Sequence, residues 1–352
     1  MRIIRNFDVR SYYPSLMIEN GYTSRNIPSP DVFEQVYWDR VAAKKAGDKV
    51  KDKGLKLILN TTYGASLAAT NPLYDPLMGR SVCISGQLYL LELAMRLYQE
   101  VPDLEIVQLN TDGITIEFDD SQYDLVMNFI NEWQERTHFV LEEDKIKKLI
   151  QKDVNNYFLM FENGKIKTKG AYFSSGIAPA GAFSINNNFV IVKDAVVNYF
   201  VNGTPVEDTI TSCEDIHKFQ IIAKAGGGYK AVYHISDDFD VYRKQWVKEN
   251  RYKVNGKWVN PTFRWENYTG ACTEIQRVNR IYASFGEQST IVKVKPDGSV
   301  GRIQNLPDSL VIDNKNELSI DAVNRQWYID LANKYIGDYL GESRSDKVAL
   351  AD

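Results

Sequence analysis

Asp8-Val-Arg-Ser-Tyr-Tyr-Pro-Ser15 is the stretch on which the reading of this chain turns. The residues before it, RIIRNFD over 2–8, read as a short strand that ends at Asp8. A helix starts near Ser11, with Pro14 in its first turn, where proline is tolerated. A second run, Asn110-Thr-Asp-Gly113, sits in a hairpin between strand-like segments Glu105–Asn110 and Gly113–Phe118. In the latter, Ile114, Ile116 and Phe118 alternate with Thr115 and Glu117, the period of a half-buried sheet. Each run places a carboxylate at a strand end. Both carboxylates also have a purely structural reading. Asp8 can be an anion beside a helix N-terminus. Asp112 can be half of an Asp-Gly hairpin turn, in which the glycine takes positive φ.

Between the two runs lies Lys56-Leu-Ile-Leu-Asn-Thr-Thr-Tyr-Gly64. On a helix, Lys56, Asn60 and Tyr63 or Gly64 share one face. A lysine on an exposed helix is commonly just solvated. Asn60 and Gly64 are poor helix formers, however, and a cost of up to ~1 kcal/mol for the glycine asks for a compensating role. Lys56 can hold a phosphate as a point charge. Tyr63 can stack on a base pair that Gly64 lets approach. Arg40 and Lys44, at i and i+4 on the preceding helix, either face the same anion or form a solvated face. Ser11, Tyr12 and Tyr13 enter a helix with backbone N–H groups able to point at an anion. Two carboxylates that share divalent metals, faced by a cationic helix, are what in-line nucleotidyl transfer needs, with ions roughly 3.5–4 Å apart.

The segment Ile27-Pro-Ser-Pro-Asp31 is a break, and Asp31 is expected to cap a helix running to about Ala46. Gly47 and Asp48 mark a turn, and a second helix from about Lys51 to Tyr63 completes a helical hairpin. From Arg40 to Lys56 there are seven basic residues against two acidic ones. Residues 79–100 are expected as a helix packing Leu88, Leu91, Leu93, Met95 and Leu97 on a sheet. Residues 120–136 and 187–202 read as helical, and 154–173 as a hairpin closed at Asn163-Gly164. Residues 218–300 read as mainly β and loop, with hairpins at Asn255-Gly256 and Asp297-Gly298. Residues 318–340 read as helical, with Leu318, Val323, Trp327, Ile329, Leu331 and Tyr335 in the core, and the last ten residues as frayed.

The chain has 352 residues, 44% hydrophobic and 25% charged, which is ordinary globular composition with room for more than one core. The net charge of −4 does not announce a nucleic-acid binder, so local charge carries the signal. Lys145–Lys169 and Arg243–Lys257 are further basic stretches, the second carrying Tyr242, Trp246, Tyr252 and Trp258 in or beside it. Basic clusters with interleaved aromatics suit a phosphate backbone and exposed bases; solvated lysine faces are the plainer reading. Cys83, Cys213 and Cys272 are odd in number and widely spaced, which suggests neither a disulfide framework nor a zinc site. The three histidines are isolated, and no Ser/His/Asp arrangement stands out. Gly226-Gly-Gly228 matches no phosphate-loop spacing. No apolar run approaches the ~20 residues of a membrane helix, the N-terminus lacks a signal-peptide apolar core, and no membrane partner is expected. The plain reading of the three cysteines as thiols in a reducing compartment makes a cytoplasmic setting the expectation.

Taken in order, these segments resemble the family B DNA polymerases. Asp8–Ser15 is similar to that family's motif A, with Tyr12 in place of the usual Leu. Lys56–Gly64 resembles motif B, with Lys56, Asn60, Tyr63 and Gly64 in place. Asn110–Gly113 resembles motif C, usually Asp-Thr-Asp-Ser, with Asn110 for the first Asp and Gly113 for Ser. Lys167-Thr-Lys-Gly170 resembles the element that holds the primer end. The match spans roughly residues 1–175, about half the chain.

The resemblance implies an α+β right-hand polymerase with an antiparallel palm sheet, short helical-hairpin fingers and a mixed α/β thumb region. Residues 1–30 and 67–175 would be palm, 31–66 fingers, and 176–352 thumb with a lineage-specific region. It implies that Asp8 and Asp112, with the Val9 carbonyl, hold two Mg²⁺ ions, or Mn²⁺ in their stead. Ser11, Tyr12, Tyr13, Arg40, Lys44, Lys56 and Asn60 would bind the incoming dNTP, with Tyr13 under the sugar. Tyr63 and Gly64 would line the base-pair pocket. Thr111, Lys167, Lys169 and Gly170 would meet the primer and a primed DNA template. With only seven residues before Asp8, a companion chain carrying the exonuclease and first part of the palm is expected, in phage-like DNA replication in a host cytoplasm. Activity is expected despite Asn110. Two rival expectations are a non-catalytic DNA-binding subunit of a split replicase and an RNA-synthesising primase-like enzyme, the latter disfavoured by Tyr13.

Overall fold

The computed structural model describes residues 1–170, 188–236, 239–303 and 305–341. The chain divides into two compact units: Met1–Leu149 with Leu159–Ile166, and Ile150–Phe158 with Lys167–Asp352. The expected end of the 154–173 hairpin after residue 170, the first residue of the 187–202 helix and the frayed terminus after residue 341 lie outside the described residues.

In the first unit β1 (Arg2–Val9) leads into α1 (Tyr12–Glu19), followed by α2 (Pro30–Lys45), α3 (Lys49–Leu67) and α4 (Pro76–Glu100). Then come β2 (Glu105–Leu109), β3 (Gly113–Asp119), α5 (Tyr123–Thr137) and β4 (Leu141–Asp153). The strand order, with β5 (Asn156–Phe161) and β6 (Ile166–Lys169) added, is β2-β3-β1-β4-β5-β6, and β4, β5 and β6 each have residues in both units. The β1–β3, β1–β4 and β2–β3 pairs are antiparallel. Because β3 is paired on both edges, Ile114, Ile116 and Phe118 are fully buried and Thr115 is buried too, its hydroxyl bonded to Asn6 Oδ1 at 2.8 Å. The core joins Phe7, Leu16 and Phe118 of these elements to Leu59 of α3, Leu93 and Leu97 of α4, and Trp133 of α5.

Helix ends follow side-chain chemistry. Asp48 caps α3 by accepting from Lys51 N at 3.0 Å. The α2 cap is Ser29 with Pro30 at the first helical position, not Asp31 as expected; Asp31 lies in the first turn, where its charge complements the helix dipole. On α4, Leu93 and Leu97 enter the core as expected, but Leu88, Leu91 and Met95 do not. Leu90, Leu93, Ala94 and Leu97 fill the inward face at helical spacing, which turns Leu88, Leu91 and Met95 outward.

The second unit carries α6 (Val190–Asn202), α7 (Val206–Thr211), β7 (Ile221–Lys224), β8 (Ala231–Ile235), α8 (Phe239–Asn250), β9 (Tyr252–Val254) and β10 (Lys257–Val259). Its remaining elements are β11 (Cys272–Ile275), β12 (Val278–Ala283), β13 (Thr290–Val294), β14 (Val300–Arg302), β15 (Leu310–Ile312) and α9 (Arg325–Leu340). The sheets β11-β8-β13-β14, β15-β12-β7 and β10-β9 are antiparallel. Tyr328 of α9 closes this core, donating to Phe219 O at 2.7 Å and accepting from Ala283 N at 2.8 Å. The region expected to be mainly β and loop contains α8, whose amphipathic pattern is short and heavily charged. The terminal helix begins at Arg325, capped by Asn324, rather than near 318; Leu318 is exposed. Helices and antiparallel sheets in this arrangement agree with the α+β class. Among the described residues no helix is long and apolar enough to cross a membrane.

Candidate active site

Asp8 sits one residue from the end of β1, directly opposite Gly113 on β3 and Glu142 on β4. Val9 N donates to Asp112 O at 2.7 Å, and Asn110 N to Gly113 O at 2.8 Å. The strand pairing therefore sets the backbones of the two aspartates one register position apart across β1 and β3. The turn is three residues, 110–112, rather than the two expected. Gly113 is not left-handed; its lack of a side chain makes room for Asp8, since a Cβ there would stand 2.1 Å from Asp8 Oδ1.

After Val9 the chain must reverse from strand to helix. Ser11 does this in the left-handed region, at φ 50, a conformation that costs a non-glycine residue roughly 1–2 kcal/mol. Ser15 N closes the first helical bond on Ser11 O at 3.0 Å, so the N–H groups of Tyr12 and Tyr13 have no acceptor within the helix. The Tyr12 ring goes into the core, with its hydroxyl on Gly86 O at 2.7 Å; any contact it makes with an anion is through its backbone.

A cavity of about 390 Å³ opens at this junction. Val9, Ser11, Tyr12, Tyr13 and Pro14 line one side, Thr111 and Asp112 another, and Arg40 of α2 with Lys56, Asn60 and Tyr63 of α3 the third. Arg40 fastens the helical hairpin to the junction: Nε binds Asp52 Oδ1 at 3.0 Å and Nη1 reaches Ser11 Oγ. Lys44 does not line the cavity; its Nζ pairs with Glu142 at 2.9 and 3.0 Å. Burial pushes the Glu142 carboxyl up, and the hydrogen bonds from Lys44 and Arg10 outweigh it and hold it below the ordinary range.

Tyr13 and Tyr63 meet edge to face, 4.6 Å between centroids. The Tyr63 hydroxyl is 2.8 Å from Cys83 Sγ, which also lies 3.9 Å from the Tyr13 hydroxyl. Burial pushes the Tyr13 phenol up to about 12, helped by Cys83 and by the Asp112 charge, and burial likewise raises Tyr63. Both rings therefore stay neutral at physiological pH. Gly64 lies outside the cavity lining, with open space where a side chain would be. Thr111 lines the cavity; Lys167, Lys169 and Gly170 belong to the second unit. There Lys169 Nζ lies 5.6 Å from the Tyr157 ring centre, and a Cβ on Gly170 would meet Asn156 Oδ1 at 2.3 Å.

Among the described residues no group of three His, Cys, Asp or Glu side chains could hold a metal. The Asp112 carboxylate lines the cavity, and the Asp8 carboxylate lies over Gly113 outside that lining; with the backbone carbonyls these are hard oxygens that leave most positions on an ion to water or a ligand. That fits Mg²⁺, which is commonly held by one or two carboxylates plus substrate phosphates. Sequence reasoning missed Cys83, Asp52 and Glu142. Cys83 lies twenty positions from Tyr63 on another helix, and no local pattern links them.

Neither a protein-family model nor a curated protein sequence matches this chain. Among solved structures, it is similar to a family B DNA polymerase from the hyperthermophilic archaeon Pyrobaculum calidifontis, with a TM-score of 0.50 and 12% identity over 96% of this chain. The match spans 45% of the length of that polymerase. At this identity the likeness is one of fold: the chain has a polymerase-like fold.

Proposed function

We propose that the first unit carries a nucleotidyl-transfer site that adds deoxynucleotides to the 3′ end of a DNA primer on a template. The observation that carries this reading is the single cavity lined by three segments far apart in sequence, around Ser11–Tyr13, Arg40–Tyr63 and Thr111–Asp112. The polymerase-like fold supports it. Asp8 and Asp112, with the Val9 carbonyl, would hold two Mg²⁺ ions. When bound, these ions would activate the primer hydroxyl and neutralise the leaving pyrophosphate.

Lys56 and Arg40 supply positive charge at the wall for a triphosphate, and the first-turn N–H groups of Tyr12 and Tyr13 add neutral donors. Asn60, one helical turn after Lys56, presents an amide to the same ligand. Tyr13 is the floor under the sugar and excludes a 2′-hydroxyl, which makes dNTPs the preferred substrate. Tyr63 borders the nascent base pair, and the open face at Gly64 lets it approach. Thr111 would meet the primer strand, and on the motif pattern alone Lys167, Lys169 and Gly170 are assigned to primer binding as well. The process served would be DNA replication, that of a virus given the phage-like motif pattern.

Primer extension by the purified chain tests this, with primed DNA, Mg²⁺ and dNTPs. Extension that disappears in Asp112→Ala is expected. Full extension by Asp8→Ala or Asp112→Ala would sink the reading, and Mg²⁺-independent DNA binding without incorporation would assign a DNA-binding role in its place.

A further inference from the structure

The second unit holds a cavity of about 560 Å³ where α8 faces the segment around Asn260 and Phe263. Its wall carries Arg243, Lys244, Lys248 and Arg251, and the lining includes no carboxylate. From Arg243 to Lys257 the chain has six basic residues and one acidic residue, opposite in sign to the net charge of −4. Lys244 and Lys248 stand one turn apart on α8, and Arg251 follows directly after its last residue, Asn250. Among the described residues none of the three makes an ion pair; the nearby Glu249 accepts from Gln245 at 2.8 Å, and Asp240 is taken by Arg302 and Arg243. Like charges gathered in a concave wall repel one another, and a polyanion relieves that cost.

The hairpin beside the cavity supplies a second feature. Lys253 and Trp258 are opposite one another on β9 and β10, so they share a face. Arg251 lies 4.5 Å and Lys253 5.0 Å from the Trp258 ring centre, which holds both cations in place. Trp258 is 57% and Tyr252 52% exposed. A free phosphate would need only the cations. A duplex keeps its bases stacked away from surface rings. Cations along a groove with exposed aromatics beside it match a strand whose bases are free to stack.

We propose that α8 and the β9–β10 hairpin form a binding surface for single-stranded polynucleotide, gripping phosphates with Lys244, Lys248 and Arg251 and stacking a base near Trp258. This inference rests on second-unit residues and not on the reading of the cavity at Asp112.

The test is fluorescence anisotropy of a labelled oligothymidylate and of a blunt duplex with the full chain, across a salt series. The variants are Lys244→Ala/Lys248→Ala/Arg251→Ala, Trp258→Ala and Trp258→Phe, with thermal unfolding of each to separate binding from folding. Removing three phosphate contacts should reduce the salt slope for the single strand by about 2. Trp258→Ala should weaken single-strand binding about fivefold or more, and Trp258→Phe should restore most of it. Wild-type slope and affinity in the folded variants would overturn the proposal. So would an equal loss of duplex binding, which would make this a duplex surface. Loss of primer extension in Asp112→Ala with these effects intact would leave it standing.

Discussion

Asp8 and Gly113 face one another across β1 and β3, and the space a side chain on residue 113 would need is already taken by the Asp8 carboxylate. A Cβ would lie 2.1 Å from Asp8 Oδ1 and 2.7 Å from the Phe7 carbonyl oxygen. Gly113→Ala must therefore move Asp8 or spread the strands, at a cost of about 1–3 kcal/mol in stability. A displaced carboxylate should cut primer extension about 100-fold or more. Steady-state extension and urea unfolding measure both, and a variant with native rate would mean that the Asp8 position does not matter.

Gly64 is the opposite case. It lies inside α3 with nothing within 4 Å of an added Cβ. Gly64→Ala should stabilise the helix by up to about 1 kcal/mol. If a base pair approaches this face, the same change should raise the KM for dNTP. A more stable variant with unchanged kinetics would remove Gly64 from the base-pair pocket.

Lys56 and Lys44 are both lysines of the helical hairpin, but only Lys56 lines the cavity, while Lys44 is engaged by Glu142. Lys56→Ala should raise the KM for dNTP about 10- to 100-fold, the scale of a hydrogen bond to a charged group. Lys44→Ala should change it little and alter stability by about 1 kcal/mol or less, since that pair is partly exposed. Single-nucleotide incorporation across a dNTP series distinguishes the two, and equal effects would contradict the assignment.

Cys83 joins Tyr13 to Tyr63 from α4. Cys83→Ala removes the partner of the Tyr63 hydroxyl and should loosen the ring pair. The expected result is a loss of about 2- to 10-fold in discrimination between dNTP and rNTP. Cys83→Ser, which can keep a polar contact, should lose less. Identical discrimination in all three proteins would make the thiol a packing group only.

Arg25 grips Asp75 at the start of α4 through Nε at 2.8 Å, Nη2 at 2.9 Å and its own backbone N at 3.0 Å. The side-chain bond first, then the backbone bond, holds the Asp75 carboxyl well below the usual carboxylate range against the effect of burial. A depressed carboxylate stabilises the fold above its unfolded pKa of about 4 and loses that contribution as pH falls below it. Asp75→Asn should therefore lower the unfolding temperature at pH 7, and the gap from the native chain should shrink below about pH 4. A gap that persists unchanged at pH 2.5 would show that the charge is not what matters.

Local chemistry made much of the fold legible in the sequence. The strand before Asp8, the helical hairpin around Gly47, and the Asn255-Gly256 and Asp297-Gly298 turns appear where propensity, proline placement and turn residues put them, because each depends on neighbours within a few residues. β4 did not announce itself. Its sequence, LEEDKIKKLIQKD, is mostly charged, and it is a strand because β1 needs a partner on its second edge.

The same division runs through the candidate site. The sequence by itself determined which residue types are present and their spacing: Asp8 before a turn, Lys56 and Asn60 one helical turn apart, and Asp112 at a strand end. Tertiary structure decided which of them share a cavity. It put Lys56 at the wall and gave Lys44 to Glu142, buried the Tyr12 ring, and set Cys83 under the tyrosine pair. It also turned Gly113 from a turn residue into the gap that Asp8 occupies. Spacing along a helix or strand is set by local backbone geometry, whereas contact between residues far apart in the chain is set by which strands pair and which helices pack.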